Sequence, residues 1–141
     1  MVLQATGRRF GVHLTLTKRI PVQAGLGGGS SDAAAALILV NQLAGGPVPS
    51  HELLQFAARL GSDVPFFLSE ARLALAWGHG ERMLRLAPLP AAPALVLVPP
   101  EGMATAEAYA WIDQGGDSTK RGGLALDLDA LRGWGDIARM A

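Results

Sequence analysis

The residues best suited to chemistry lie in one stretch, Pro21-Val22-Gln23-Ala24-Gly25-Leu26-Gly27-Gly28-Gly29-Ser30-Ser31. Glycine has no Cβ, so its backbone turns freely and approaches a ligand closely. Successive amide N–H groups in such a turn form an anion-binding nest. A helix that follows adds free N–H groups and the positive end of its dipole. Ser30 and Ser31 bring hydroxyls for phosphate oxygens or Mg2+, and either serine also suits a helix N-cap. The second chemical candidate is Asp63, followed by Val64-Pro65-Phe66-Phe67. A carboxylate among apolar neighbours is partly desolvated, which raises its pKa and suits a general base. The alternative role for Asp63 is to cap the turn before Val64-Pro65.

Two familiar phosphate loops do not fit. The P-loop needs a lysine after its glycines, and none follows here. The dinucleotide fingerprint needs glycine where this chain has Ser30, and an acidic residue about 20 positions on. That later position is Gly45-Gly46-Pro47. The remaining alternative is structural, with glycines letting a helix pack closely on a strand.

The elements that would position these groups follow from periodicity. Met1 to Gly7 reads as a helix tail ending at glycine. Arg8 to Thr17 alternates, with Phe10, Val12, Leu14 and Leu16 on one face, and predicts a half-buried strand. Ser31 to Leu43 predicts a helix apolar nearly all round, hence deeply buried. Ser50 caps a second helix that stops at Gly61. Gly61 to Phe67 reads as a tight turn. Arg72–Trp77 and Arg82–Leu86 predict two strands joined by Gly78-His79-Gly80-Glu81. Ala94 to Val98 reads as a buried strand, and Thr105 as the cap of a helix running to Ile112. Trp77, Trp111 and Trp134 are expected in the core. His79 is expected to be structural or solvated. The class is α+β with antiparallel strand pairs.

Composition bounds the partners. Lys+Arg and Asp+Glu balance at 12 each, which argues against nucleic acid or an anionic membrane held by bulk charge. The 141 residues are 50% hydrophobic and 17% charged, enough for a folded domain with a core. There is no cysteine, so thiol chemistry is excluded, and the three histidines are far apart, so a histidine zinc site is not expected. No apolar run nears the ~20 residues of a membrane span, and no secretory signal pattern opens the chain. A cytoplasmic location is the expectation.

The loop resembles the phosphate-binding motif of the kinase superfamily that includes galactokinase, homoserine kinase, mevalonate kinase and phosphomevalonate kinase. Pro21, Gly25-Leu26-Gly27 and Ser30-Ser31 match it position by position. Lys18-Arg19-Ile20-Pro21, Gly28 to Ala34, and Asp63-Val64-Pro65-Phe66-Phe67 look like the 4-diphosphocytidyl-2-C-methyl-D-erythritol kinase family within it. So do Gly78-x-Gly80-Glu81, Thr105-Ala106-Glu107-x-Tyr109 and Thr119-Lys120-Arg121.

The resemblance implies a two-layer α+β fold like that superfamily's N-terminal domain, incomplete over residues 1–114. A flexible linker at 115–123 and the start of a C-terminal domain at 124–141 would follow. It implies an ATP-dependent, Mg2+-requiring kinase that phosphorylates the hydroxyl of a cytidine-diphosphate-linked methylerythritol, a small-molecule substrate, in the non-mevalonate route to isoprenoids. Pro21, Gly25 to Ser31 and Lys18 would then bind the nucleotide, with Ser30 assisting Mg2+ and Asp63 the base. For Lys18 the family places a lysine near the adenine; the residue alone reads equally as an exposed strand-end charge. Tyr109 would stack on cytosine, or pack beside Ile112. Thr105 is a helix cap first and a substrate contact second. Asp32 suits the helix dipole but would repel phosphate, so it is expected to point away or act through the metal. The family's opening Lys-Ile-Asn-Leu strand, its Gly-Tyr-His segment and its second glycine loop are not in this sequence. That difference implies a central fragment with little or no kinase activity alone.

Overall fold

The computed structural model describes residues 1–5, 7, 10–97, 104, 107, 110–111, 114 and 131–140, and side chains to 137 in the last segment. The chain divides into two units, Met1–Ala87 and Pro88–Ala141.

In the first unit a one-turn helix α1 (Val2–Ala5) precedes α2 (Gly28–Leu43), α3 (Ser50–Leu60) and the short α4 (Val64–Leu68). An antiparallel hairpin follows, β1 (Ala74–Trp77) with β2 (Arg82–Arg85). Its register pairs Ala74 with Arg85 and Trp77 with Arg82, across the Gly78–Glu81 turn that the sequence predicts. The core is where the helices meet. Ala34, Leu37 and Val40 of α2, Leu53 and Ala57 of α3, Val64 of α4, and Val2 and Val48 are all buried. Ala57 is fully enclosed, which lets α3 approach its neighbours closely. Asn41 is buried but satisfied: its amide donates to the Val48 carbonyl at 3.0 Å and accepts the Val48 N–H at 3.1 Å. That exchange closes the Gly45-Gly46-Pro47 turn onto the end of α2.

Several sequence expectations change. α2 begins at Gly28, three residues before Ser31, with Gly27 as its cap at φ 66. Neither serine caps it; the Ser31 hydroxyl instead donates to the Gly28 carbonyl at 2.9 Å. Nor is α2 buried all round, since Leu39 is 53% and Leu43 72% exposed. Ser50 is the first helical residue of α3 after a Pro49 cap, without a side-chain cap bond. The Gly61–Phe67 turn contains α4, for which Pro65 near the start supplies a helix-compatible φ.

The largest departure is at residues 11–19, which take up no regular structure. Val12 packs on the core, while Leu14 and Leu16 are 60% and 61% exposed. A strand needs a neighbour for its backbone groups, and the only described sheet is the β1–β2 hairpin.

In the second unit, residues 88–97 form no strand, and Leu95 and Leu97 are 85% and 81% exposed, so the buried strand expected at 94–98 is absent over its described part. Glu107, Ala110, Trp111 and Gln114 are helical. A last helix, α5 (Trp134–Met140), is held at its start by Asp136, whose carboxylate accepts the N–H groups of Arg132 and Gly133 at 2.9 and 2.8 Å. The Trp134 indole N–H donates to the Pro90 carbonyl at 2.8 Å. The three tryptophans are about half exposed rather than core. Trp77 lies at the end of β1, and Trp111 and Trp134 lie in helical residues. The expected linker at 115–123, and Thr105 and Tyr109, lie outside the described residues.

Candidate functional site

Gly25, Leu26 and Gly27 lie 36 or more residues from Asp63 in sequence, yet they line one cleft of about 430 Å³ with it; Gly28, Gly29, Ser30 and Ser31 are not in its lining. Gly25, Leu26 and Gly27 form one part of its wall. Ser62, Asp63, Phe66 and Phe67 form another, and Ala76 of β1 completes it. The helices bring these parts together. α2 starts where the glycine loop ends, α4 starts where Asp63 ends, and the two helices pack against each other.

The local reasons are specific. Gly27 sits in the left-handed region at φ 66, and a Cβ there would come 2.8 Å from the Phe67 ring. Only glycine therefore lets the loop turn into α2 with Phe67 beneath it. At Gly28 a Cβ would come 2.9 Å from Ile20. The same close approach at Gly25 or Gly29 would meet nothing within 4 Å. The glycine run thus splits. Gly27 and Gly28 serve packing, but against Phe67 of α4 and Ile20 in irregular chain and not against the strand that the structural alternative expected, whereas Gly25 and Gly29 leave open space beside the helix start.

That start leaves backbone donors free. The first backbone bond of α2 runs from the Ser31 N–H to the Gly27 carbonyl at 2.9 Å. Helix geometry leaves the N–H groups of Gly28, Gly29 and Ser30 without intrahelical acceptors, at the positive end of the dipole. Ser30 is half-buried in this turn. Pro21 is exposed at the entry to the loop, where Gln23 holds φ 60.

Asp63 occupies the N-cap position of α4 but makes no side-chain cap bond. The capping role weighed for it is therefore absent. So is the apolar enclosure: Asp63 is exposed, while the burial falls on Val64 and Pro65 after it. Asp63 is left exposed at the wall of the cleft.

The hairpin steadies the Asp63 wall from outside. Gly80 is buried at φ 82, and a Cβ on it would run into the Ser62 carbonyl oxygen. The turn holding Gly80 is fastened by Glu81, whose carboxylate accepts the His79 N–H at 2.7 Å. Its own backbone N–H and that of His79 hold the Glu81 carboxyl below its ordinary value of 4.5, with partial burial opposing. His79 is exposed, as expected of a solvated turn residue.

Lys18 and Asp32 form a 2.6 Å ion pair beside the first turns of α2. Sequence spacing gave no sign of this pair, because one partner is helical and the other lies in irregular chain. Ser62 and Phe67 were also missed as cleft residues. Only the steric demand of Gly27 and Gly80 would have pointed to them. Among the described residues no cluster of three or more His, Cys, Asp or Glu side chains is placed to hold a metal ion, and no helix is long and apolar enough to cross a membrane.

Comparison with known proteins places the chain in a family. Residues 1–71 match the family model described as GHMP kinases N terminal domain. A 4-diphosphocytidyl-2-C-methyl-D-erythritol kinase of Pelotomaculum thermopropionicum is 49% identical over 105 residues, covering 74% of this chain and 36% of the relative. The enzyme of the same name from Desulfitobacterium hafniense is 46% identical over 114 residues, 81% of this chain and 39% of the relative. A third, from Geobacter sulfurreducens, is 43% identical over 119 residues, 84% and 42% respectively. The chain thus spans well under half the length of these curated relatives. The family model covers half of the chain, including the loop, the cap at Gly27 and Asp63, and on that ground the chain belongs to the GHMP kinases by their N-terminal domain.

Proposed function

We propose that this chain carries the nucleotide-binding part of an ATP-dependent kinase whose acceptor is the hydroxyl of 4-diphosphocytidyl-2-C-methyl-D-erythritol, a cytoplasmic step of isoprenoid precursor synthesis. The observation that supports it most is the shared cleft, which Gly25 to Gly27 of the glycine loop line together with Asp63. The names of the relatives supply the substrate.

In this reading the loop from Gly25 to Ser31 holds the ATP phosphates through backbone N–H groups and the start of α2. Phosphoryl transfer requires orientation and charge neutralisation more than covalent help from the protein. Asp63 orients the acceptor hydroxyl and accepts its proton. Its exposure leaves it open to an incoming alcohol. A wall built on α2, α4 and the hairpin keeps the two ends of the site in register. Magnesium would be held mostly by phosphate oxygens and water, with the Ser30 hydroxyl as the donor this loop offers. When bound, the ion neutralises charge on the phosphates. Tyr109 and Thr105 remain candidates for the cytidine side of the substrate.

Titration of the chain with Mg·ATP tests the loop: binding is expected, and its absence overturns the assignment. A turnover assay on the diphosphocytidyl alcohol tests the base. Asp63→Asn is expected to keep ATP affinity and lower residual transfer by about 10²–10⁴-fold. Equal transfer by the variant removes Asp63 from the chemistry. A second reading is a nucleotide-binding unit without transfer. It is favoured by the lack of any cation paired with Asp63 among the described residues. Tight ATP binding with no transfer would select it.

A further inference from the structure

Asp32 lies four residues into α2, one turn beyond Gly28, where a free carboxylate would oppose any anion at the helix start. Lys18 meets it at 2.6 Å, and both side chains are only about one-third exposed. The ammonium also lies over the start of the helix, since a Cβ on Gly28 would come 3.4 Å from its Nζ. A lone cation is unfavourable at the positive end of a helix dipole, so its partner carboxylate is what retains it there. Ile20, packed over Gly28, fixes the chain that delivers Lys18.

Resting on the nucleotide reading above, we propose that Lys18 is a positioning residue whose ammonium masks the Asp32 carboxylate, so that the α2 amides meet the nucleotide phosphates without an opposing charge. Lys18 then acts on the nucleotide through Asp32 and does not itself touch it. The charge arithmetic is distinctive. The pair is neutral, Lys18→Met leaves one negative charge, Asp32→Asn leaves one positive charge, and the double variant is neutral again.

Calorimetric titration of the chain and these three variants with ATP, ADP and AMP tests this. Lys18→Met is expected to weaken ATP by about three- to fivefold, the scale of a partly exposed charge, with a smaller loss for ADP and the least for AMP. The double variant is expected to restore ATP affinity. Loss without restoration, or loss equal for all three nucleotides, overturns the proposal and makes Lys18 a direct contact or a purely structural one. Asp32→Asn keeps the side-chain shape and gives an independent reading should Lys18→Met fail to fold: it is expected to tighten ATP by a similar factor, and unchanged or weaker binding overturns the proposal. Failure of the unaltered chain to bind ATP sinks the nucleotide reading itself. Normal ATP binding with indifferent variants sinks only the role of the pair.

Discussion

The helices α2, α3 and α4 and the segment 11–19 are all rich in apolar residues, yet the burial falls mainly on the helices. Leu37 is 7% exposed and Ala57 is fully enclosed, while Leu14 and Leu16 stand more than half open. A helix satisfies its backbone internally and needs a neighbour only for its apolar stripe. A strand needs a neighbour for both its backbone and its side chains. The cleft is accordingly built where helices pack, and the one described sheet is the hairpin whose partner is four residues away.

The sharpest way to break this contrast is to truncate one leucine from each region. Leu37→Ala is expected to cost about 2–5 kcal/mol in denaturant unfolding, as a buried cavity does. Leu16→Ala is expected to stay within about 0.5 kcal/mol, as an exposed site does. A large loss at Leu16 would mean that the segment is packed in solution. Asn41→Ala comes next. It strips the Val48 N–H and carbonyl of their buried partner, at about 1–3 kcal/mol, and is read by the same unfolding midpoint.

Gly27→Ala tests the junction between loop and helix. The left-handed conformation costs a non-glycine residue about 1–2 kcal/mol, and the new Cβ also displaces Phe67. ATP affinity should fall along with stability, whereas Gly29→Ala, with open space around it, should leave the unfolding midpoint nearly unchanged.

The smallest effect is at the hairpin tip. The Glu81 carboxyl is held below 4.5, so its contribution to stability is present above that pH and is lost as pH falls through the lowered value. Glu81→Gln should therefore flatten the decline of the melting temperature in acid below about pH 4.5. An unchanged decline would place the acid sensitivity elsewhere.

The candidate site was legible in unequal parts. The loop was readable because a glycine run before an alanine-rich helix marks a turn that needs the left-handed φ other residues avoid, as at Gly25 and Gly27. Asp63 was readable from a motif, but its surroundings were not. Val64 and Pro65 turn into α4 and take the burial with them, leaving the carboxylate outside. The start of α2 was placed three residues late because glycine disfavours helix interiors, a preference that packing against Ile20 and Phe67 overrides. The exposed run 95–97 shows the same limit as residues 11–19: apolarity argues for burial only when another element lies within reach.

From residue types alone came the α+β class, the hairpin and its turn, the glycine turn into α2 and the absence of thiol chemistry. These depend on local backbone preference and composition. The tertiary structure decided that the loop and Asp63 share a cleft, that Gly27 and Gly28 answer to packing against Phe67 and Ile20, and that Lys18 is tied to Asp32. Those outcomes depend on contacts between residues far apart in sequence, where spacing carries no information and the packing of α2 against α4 carries all of it.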